Sequence, residues 1–456
     1  MNDAPKSEPA APTRKPRRRW RWVRRVGASV LVSLVGYFIW VFVDRELTKV
    51  TGNRQLAEAQ ARTETADPDW TWERLNATRP KPPEGKNGAD LIPRIKKLTP
   101  DTWGKEFAKT EWQADLEVPP NVRYAPRVLA QVRAELNGAA EAVALARALR
   151  ECPFGYRTFV LAPNVFDTLL PETQNTRTAF DLLRWDAVLA VEDGNSARAT
   201  EDLLALLNAS RSLGDEPFII SQLVRMAGRS VTVQAVERLL AQTADAPGLA
   251  EVQAALAADA EDRLLLYGMR GERASIDRLF ENIQNGVITV GQALDARTSA
   301  PWERLAWWHY RANIPAERAE MLERMTWNVE FARQPVHEQP ALLGSAPEPS
   351  ADVRRILLRL FLPPLDKAAN AHWRATALER CAVLGIACER FRQKHHLWPN
   401  DLNELVPAFV SEIPLDPYDG RPLRYTKADS GVVVFSVGKR LANQARPGIP
   451  APPPPP

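Results

Sequence analysis

The side chains that most often perform chemistry are scarce in this chain. It holds three cysteines and five histidines among 456 residues. Cys381 and Cys388 fall within one expected helix, where seven residues separate them by about 10 Å. That gap is too wide for a disulfide, and both read as small apolar residues on a helix face. The histidines His309, His337, His372, His395 and His396 form no HExxH pair. His395-His396 closes a long expected helix, where imidazoles meet the terminal carbonyls. A GxSxG elbow, a P-loop and a dinucleotide-binding GxGxxG are all missing. The acids Asp259, Glu261 and Asp262 read as a solvated helix face. No residue is therefore assigned as catalytic, cofactor-binding or metal-ligating, and no cofactor is expected.

The body of the chain also lacks a strong charge of either sign. The net charge is +4, but residues 1–25 carry nine Lys or Arg and two acids, or +7. The remainder is then −3, which disfavours a nucleic-acid surface. Apolar residues make up 45% and charged residues 25%, as in ordinary globular proteins. The length suits roughly two or three domains. Proline is plentiful, with 38 residues. It gathers near the N-terminus, between Pro80 and Pro126, and in the tail.

Charge vanishes altogether from Val26 to Val43 (VGASVLVSLVGYFIWVFV). As a helix this run spans about 27 Å, near the hydrocarbon thickness of a bilayer. Arg24 and Arg25 bound it on one side, Asp44 and Arg45 on the other. Trp20, Trp22 and Trp40 lie near its ends, where indole prefers the interface. The run closes on Trp40-Val41-Phe42-Val43-Asp44, which offers no small-x-small cleavage site. The basic cluster Arg14–Arg25 holds the N-terminus in the cytoplasm and suits anionic lipid. These features predict a basic cytoplasmic segment at 1–25 and a transmembrane helix at 26–43. The bulk is then extracytoplasmic, on a cytoplasmic (inner) membrane, with the lipid bilayer as one partner.

Residues 44–126 read as a stalk continuing the anchor helix and a Pro-rich linker. From Arg127 helical patterning takes over and runs to 333. Phe180, Leu183, Ala187, Ala190 and Val191 share one helical face. Gly194 ends that helix and Ser196 is placed to cap the next, giving a helical hairpin. Further helices follow from about Glu216, with Pro217 in the first turn, from Leu249, and around Ile276–Ile283. Thr158–Leu161 fits either a short strand or a loop. Trp302–Tyr310 (WERLAWWHY) reads as the packing face of an amphipathic helix, with a binding platform as the alternative. Residues 334–352 read as a linker.

The last segment, 353–440, begins with an apolar stretch too short to span a bilayer and continues as one long helix, Lys367–Lys394. Pro422–Thr426 and Gly431–Val437 then read as two strands. Phe391-Arg392, Trp398-Pro399, Leu402, Leu405-Val406-Pro407, Ile413-Pro414, Asp416-Pro417, Gly420, Pro422, Tyr425, Gly431 and Ser436-Val437-Gly438 follow in a particular order and spacing. In these residues the segment resembles the globular module of a type II secretion major pseudopilin. The resemblance implies an α+β module built on a long helix. Two departures limit it. The membrane helix lies more than 300 residues upstream and Gly27 is followed by no acid, so fibre assembly is not implied. Lys439-Arg440-Leu441-Ala442-Asn443 stands where pseudopilins place calcium-binding acids, so no calcium is carried over. The whole chain also resembles a loose set of bacterial single-pass envelope proteins of this order. Leu223-Val224-Arg225 and Arg270-Gly271-Glu272-Arg273-Ala274 add to that likeness. Residues 441–456 read as an extended Pro-rich tail.

The fold class expected is mainly α: one transmembrane helix, a repeat-like helical-hairpin domain and a small α+β module. The expected function is a protein-interaction or structural role at the envelope, with an unidentified envelope protein as partner. The alternatives are an accessory component of a type II secretion-like apparatus, or an enzyme whose site in the helical domain carries no motif.

Overall fold

The computed structural model describes residues 17–439, apart from 108, 117, 244, 295–306, 348–354 and 429–430. Most of the basic N-terminal segment, the first part of the Trp302–Tyr310 cluster, part of the 334–352 linker and the Pro-rich tail lie outside the described residues.

The chain is mainly helical, with one small two-stranded sheet. The first helix, α1 (Arg17–Ala66), is 50 residues long. None of its apolar window is buried, so this stretch joins no core among the described residues. Further along, Leu56, Ala59 and Thr63 are buried, because α1 packs side by side with α11 (Ile314–Arg333). The two helices run parallel. Arg45 Nε donates to the Trp308 carbonyl at 3.5 Å, Thr63 and Thr326 hydroxyls meet at 3.1 Å, and Arg333 donates to the Ala66 carbonyl at 2.9 Å. Gly52 permits the approach: a Cβ there would stand 3.0 Å from the Ala316 amide nitrogen. The segment expected as a stalk is thus a helix docked along much of its length.

Next come α2 (Trp72–Thr78), α3 (Ile92–Leu98), α4 (Pro126–Gly138) and α5 (Ala140–Arg147). The predicted hairpin is present as α6 (Pro171–Glu192) and α7 (Ser196–Arg211). Its second helix is capped by Asn195, whose side chain accepts from the Arg198 amide at 3.1 Å. Ser196 is already helical, so the cap sits one residue earlier than expected. Residues 158–161 form a loop. The body continues with α8 (Ile219–Gln242), α9 (Leu249–Ala260) and α10 (Leu264–Asn285). Short α12 (Ile356–Phe361) leads to α13 (Leu365–His395). Leu182, Leu203, Leu206, Val236, Leu256 and Ile386 share one core spanning α6 to α9 and α13.

The segment Arg270–Ala274 ties several elements together. Arg270 donates to Asp67 at 2.9 and 2.8 Å, and Arg273 is a further donor to the same carboxylate. Glu272 accepts from the Ile219 amide at 3.1 Å, capping α8 from outside. Gly271 presses on the chain before α8, where a Cβ would lie 1.9 Å from the Pro217 carbonyl oxygen. Pro217 therefore precedes α8 rather than sitting in its first turn.

Strands β1 (Arg424–Ala428) and β2 (Gly431–Phe435) pair antiparallel, Arg424 opposite Phe435. β1 starts two residues later than the pattern predicts, because Pro422 lacks the amide a ladder needs and pairs only as an isolated bridge with Leu415. The buried Asp416 carboxylate fastens the hairpin. It accepts from Arg424 at 2.8 Å, the Ser436 hydroxyl at 2.9 Å, and the Val437 and Tyr418 amides at 2.8 and 3.0 Å. Asp416, Ser436 and Val437 are among the residues that carry the sequence resemblance, and their physical role here is to hold loop and hairpin together.

Candidate functional site

A cleft of about 720 Å³ opens between α9, α13, the chain after α11 and the loop 409–415. Helix geometry explains its shape. Ala250, Ala254, Ala257 and Ala260 recur on one face of α9 and line the cleft, and small side chains leave a groove along the helix. From Ala250 to Ala260 this groove runs about 15 Å along the helix. Gln253 bridges one end, donating to the Phe409 carbonyl at 2.7 Å while accepting from Arg390 at 2.8 Å.

The wall contributed by α13 is polar and incompletely paired. His372 and Thr376, one turn apart, are buried and line the cleft. Among the described residues, neither His372 Nδ1 nor Thr376 Oγ1 has a hydrogen-bond partner. An orphaned buried polar atom costs about 1–3 kcal/mol, so each calls for a partner. Burial, with Arg229 and Arg380 nearby, pushes the His372 pKa down to about 3. The imidazole is therefore neutral and offers one donor and one acceptor. Arg380 is held by the Leu415 carbonyl at 2.8 Å and Glu261 at 3.1 Å. Arg263 and Arg390 also line the cleft, and neither has a carboxylate within ion-pair distance among the described residues.

Behind this wall lies a sealed charge network. Asp259, fully buried, accepts from Arg225 at 2.7 Å, Arg229 at 2.7 Å and Arg211 at 2.9 Å. Arg229 also approaches Glu379 to 3.2 Å. Burial favours the neutral form of Asp259, but the three guanidiniums override it and hold the carboxylate well below the usual range. Burial pushes Glu379 well above that range; Arg229 opposes the shift and Asp259 adds to it. Glu379 is thus the protonated member of the pair, able to donate to Asp259. Both acids are closed off from solvent, so they support the cleft rather than touch its contents.

The acids read as a solvated face divide in the structure: Glu261 is exposed, Asp262 half-buried against Arg225, and Asp259 sealed. The signal for this was Arg225 and Arg229, four apart in the register of the buried Val233 and Val236. Two arginines on an inward face demand a buried acid. Of the five histidines, His337 and His372 line the cleft. His395 stacks on Phe391 at 4.3 Å and His396 ends α13 with φ 60°. Burial pushes the Cys381 and Cys388 thiols up to about 12. They are protonated packing residues on α13.

No protein-family model, curated protein or solved structure matches this chain.

Proposed function

We propose that the protein is a membrane-anchored extracytoplasmic binding protein. In this reading Val26–Val43 crosses the inner membrane, the basic N-terminus stays in the cytoplasm, and the body outside receives a partner in the α9–α13 cleft. The observation that carries the binding role is the pairing deficit of that cleft: among the described residues His372 Nδ1 and Thr376 Oγ1 find no hydrogen-bond partner, and Arg263 and Arg390 no ion-pair carboxylate. A groove about 15 Å long accommodates roughly four or five residues of extended chain. Arg263 and Arg390 favour acidic side chains at their positions, in a cleft that Glu261, Asp262 and Glu412 also line. The partner that fits is an acidic, extended segment of another envelope protein.

A photo-crosslinking side chain at Ser411, inside the cleft, tests this in intact membranes. We expect an adduct from Ser411, none from Val433 on the hairpin, and its loss in the Arg263→Ala, Arg390→Ala double variant. Equal adducts at both positions, or a purified protein that turns over a small molecule, would contradict the proposal.

A second reading follows from the C-terminal resemblance: an accessory component of a type II secretion-like apparatus. It is supported by the order of α13, the Asp416 loop and the β1–β2 hairpin. It predicts that the Ser411 adduct contains a secretion component.

A further inference from the structure

The long α1 helix does more than tether the body. One continuous helix holds both the apolar span and the face that packs on α11, so the body's orientation is fixed relative to the span. Because α1 and α11 run parallel, residues near Trp308 lie closest to the membrane. The contact between Arg45 and Trp308 is 3.5 Å, and Arg45 follows Val43 by about 3 Å of helix rise. The interfacial layer on each side of the hydrocarbon is about 5–8 Å deep. Trp308 therefore lies at its level.

Other elements reach the same end. α10 runs antiparallel to α11: Asp277 pairs with Arg318 at 2.7 Å, and Arg311 donates to the Gln284 carbonyl at 3.4 Å. The turn after α10, with Val287, thus faces the membrane. α12 is pinned there by the Leu357 amide, which donates to the Tyr310 hydroxyl at 3.2 Å. At this end Val287 is 60% exposed, Leu360 59%, Ile356 41% and Trp308 40%. Leu47 and Val50 on α1 add to the exposed apolar surface. Elsewhere α11 and α12 bury their apolar residues normally, including Leu322, Met325, Leu357 and Leu358. Exposed apolar groups gathered at the membrane-facing end call for a covering, and a bilayer crossed by α1 places lipid beside them. Arg45 stacks over the Trp308 ring at 4.2 Å, a cation beside an indole, the pair that favours the headgroup layer.

We propose that this end of the body, through Val287, Trp308, Ile356 and Leu360, is seated in the interfacial layer of the bilayer that α1 spans. The protein then has two membrane contacts, one spanning and one lying on the surface. The inference rests on α1 as the span, and the test separates the two.

Single cysteines replace Phe38, Val287, Leu360 and Val433 in the full-length protein, each labelled with an environment-sensitive fluorophore and reconstituted in phosphatidylcholine–phosphatidylglycerol vesicles. Native Cys152 and Cys388 are buried and Cys381 half-buried, which limits background labelling, and the unsubstituted protein sets the blank. Lipids with nitroxide near the headgroup or in the chain act as quenchers. Phe38→Cys should lose emission to the chain quencher, Val287→Cys and Leu360→Cys to the headgroup quencher, and Val433→Cys to neither. Quenching at Phe38→Cys without quenching at Val287→Cys and Leu360→Cys would overturn the seat and leave the anchor standing. Quenching at none of the four would overturn both.

Discussion

Replacing Asp259 by Asn and Glu379 by Gln should have opposite consequences. Asp259 is the shared anion for Arg211, Arg225 and Arg229. Asparagine keeps the volume but removes the charge and turns an amide donor toward guanidiniums that only donate. Breaking a buried ion pair by neutralising one partner costs about 3–5 kcal/mol. With about 2.1 cal/mol/K of unfolding entropy per residue over roughly 390 body residues, that lowers the melting temperature by about 4–6 °C. Glu379 is protonated in the folded protein, so Gln replaces a neutral side chain with another of like shape. In the unfolded chain Glu379 ionises near 4.5. Between that pH and its raised folded pKa the native state holds a proton the unfolded state has released. Wild-type stability therefore falls with rising pH there, by at most about 1.4 kcal/mol per pH unit for this group. Glu379→Gln removes that slope. It should be neutral at pH 5 and more stable than wild type at pH 8. Melting of the full-length protein in mild detergent, followed by circular dichroism at both pH values, measures the differences. If Glu379→Gln were as damaging as Asp259→Asn, Glu379 would be an ionised partner of Arg229 and the proton assignment would be wrong.

The other predictions concern packing and protonation elsewhere. Gly52→Leu places side-chain atoms where only 3.0 Å separates a Cβ from the Ala316 backbone; α1 should lift from α11, and limited proteolysis should cut between residues 44 and 67. Asp67→Ala leaves buried Arg273 without its carboxylate and should cost about 3–5 kcal/mol, read from a denaturant midpoint. Asp416→Ala removes the acceptor shared by Arg424, Ser436 and Val437; faster amide exchange in β2, with α6 and α7 unchanged, would show the local release. Burial pushes Glu317 up to about 7, so between about 4.5 and 7 the native state is the more protonated one and stability declines as pH rises. Glu317→Gln should flatten that decline, measured from melting temperatures at pH 5 and 7.

The sequence disclosed best what depends on short-range periodicity. The exposed apolar span, the α6–α7 hairpin and the β1–β2 pair all follow from patterns a few residues long. What it concealed depends on contacts between distant segments. Residues 44–63 read as a stalk because they are polar and helix-compatible; the burial of Leu56, Ala59 and Thr63 arises from α11, more than 250 residues away. Arg270–Ala274 carried no visible purpose until Asp67 and Pro217 stood beside it. Asp259 looked solvated because Glu261 and Asp262 flank it, whereas its partners Arg211, Arg225 and Arg229 come from other helices. The cleft has no sequence motif, since an alanine stripe on α9 means little until α13 faces it.

In the proposed topology α1 crosses a bilayer and carries the body to its outer side. Protease added to intact spheroplasts of cells expressing the full-length protein tests this most directly. This topology predicts digestion of the portion beyond residue 44, alongside a periplasmic control, with only a short N-terminal fragment protected. A body left intact while that control is digested would contradict it.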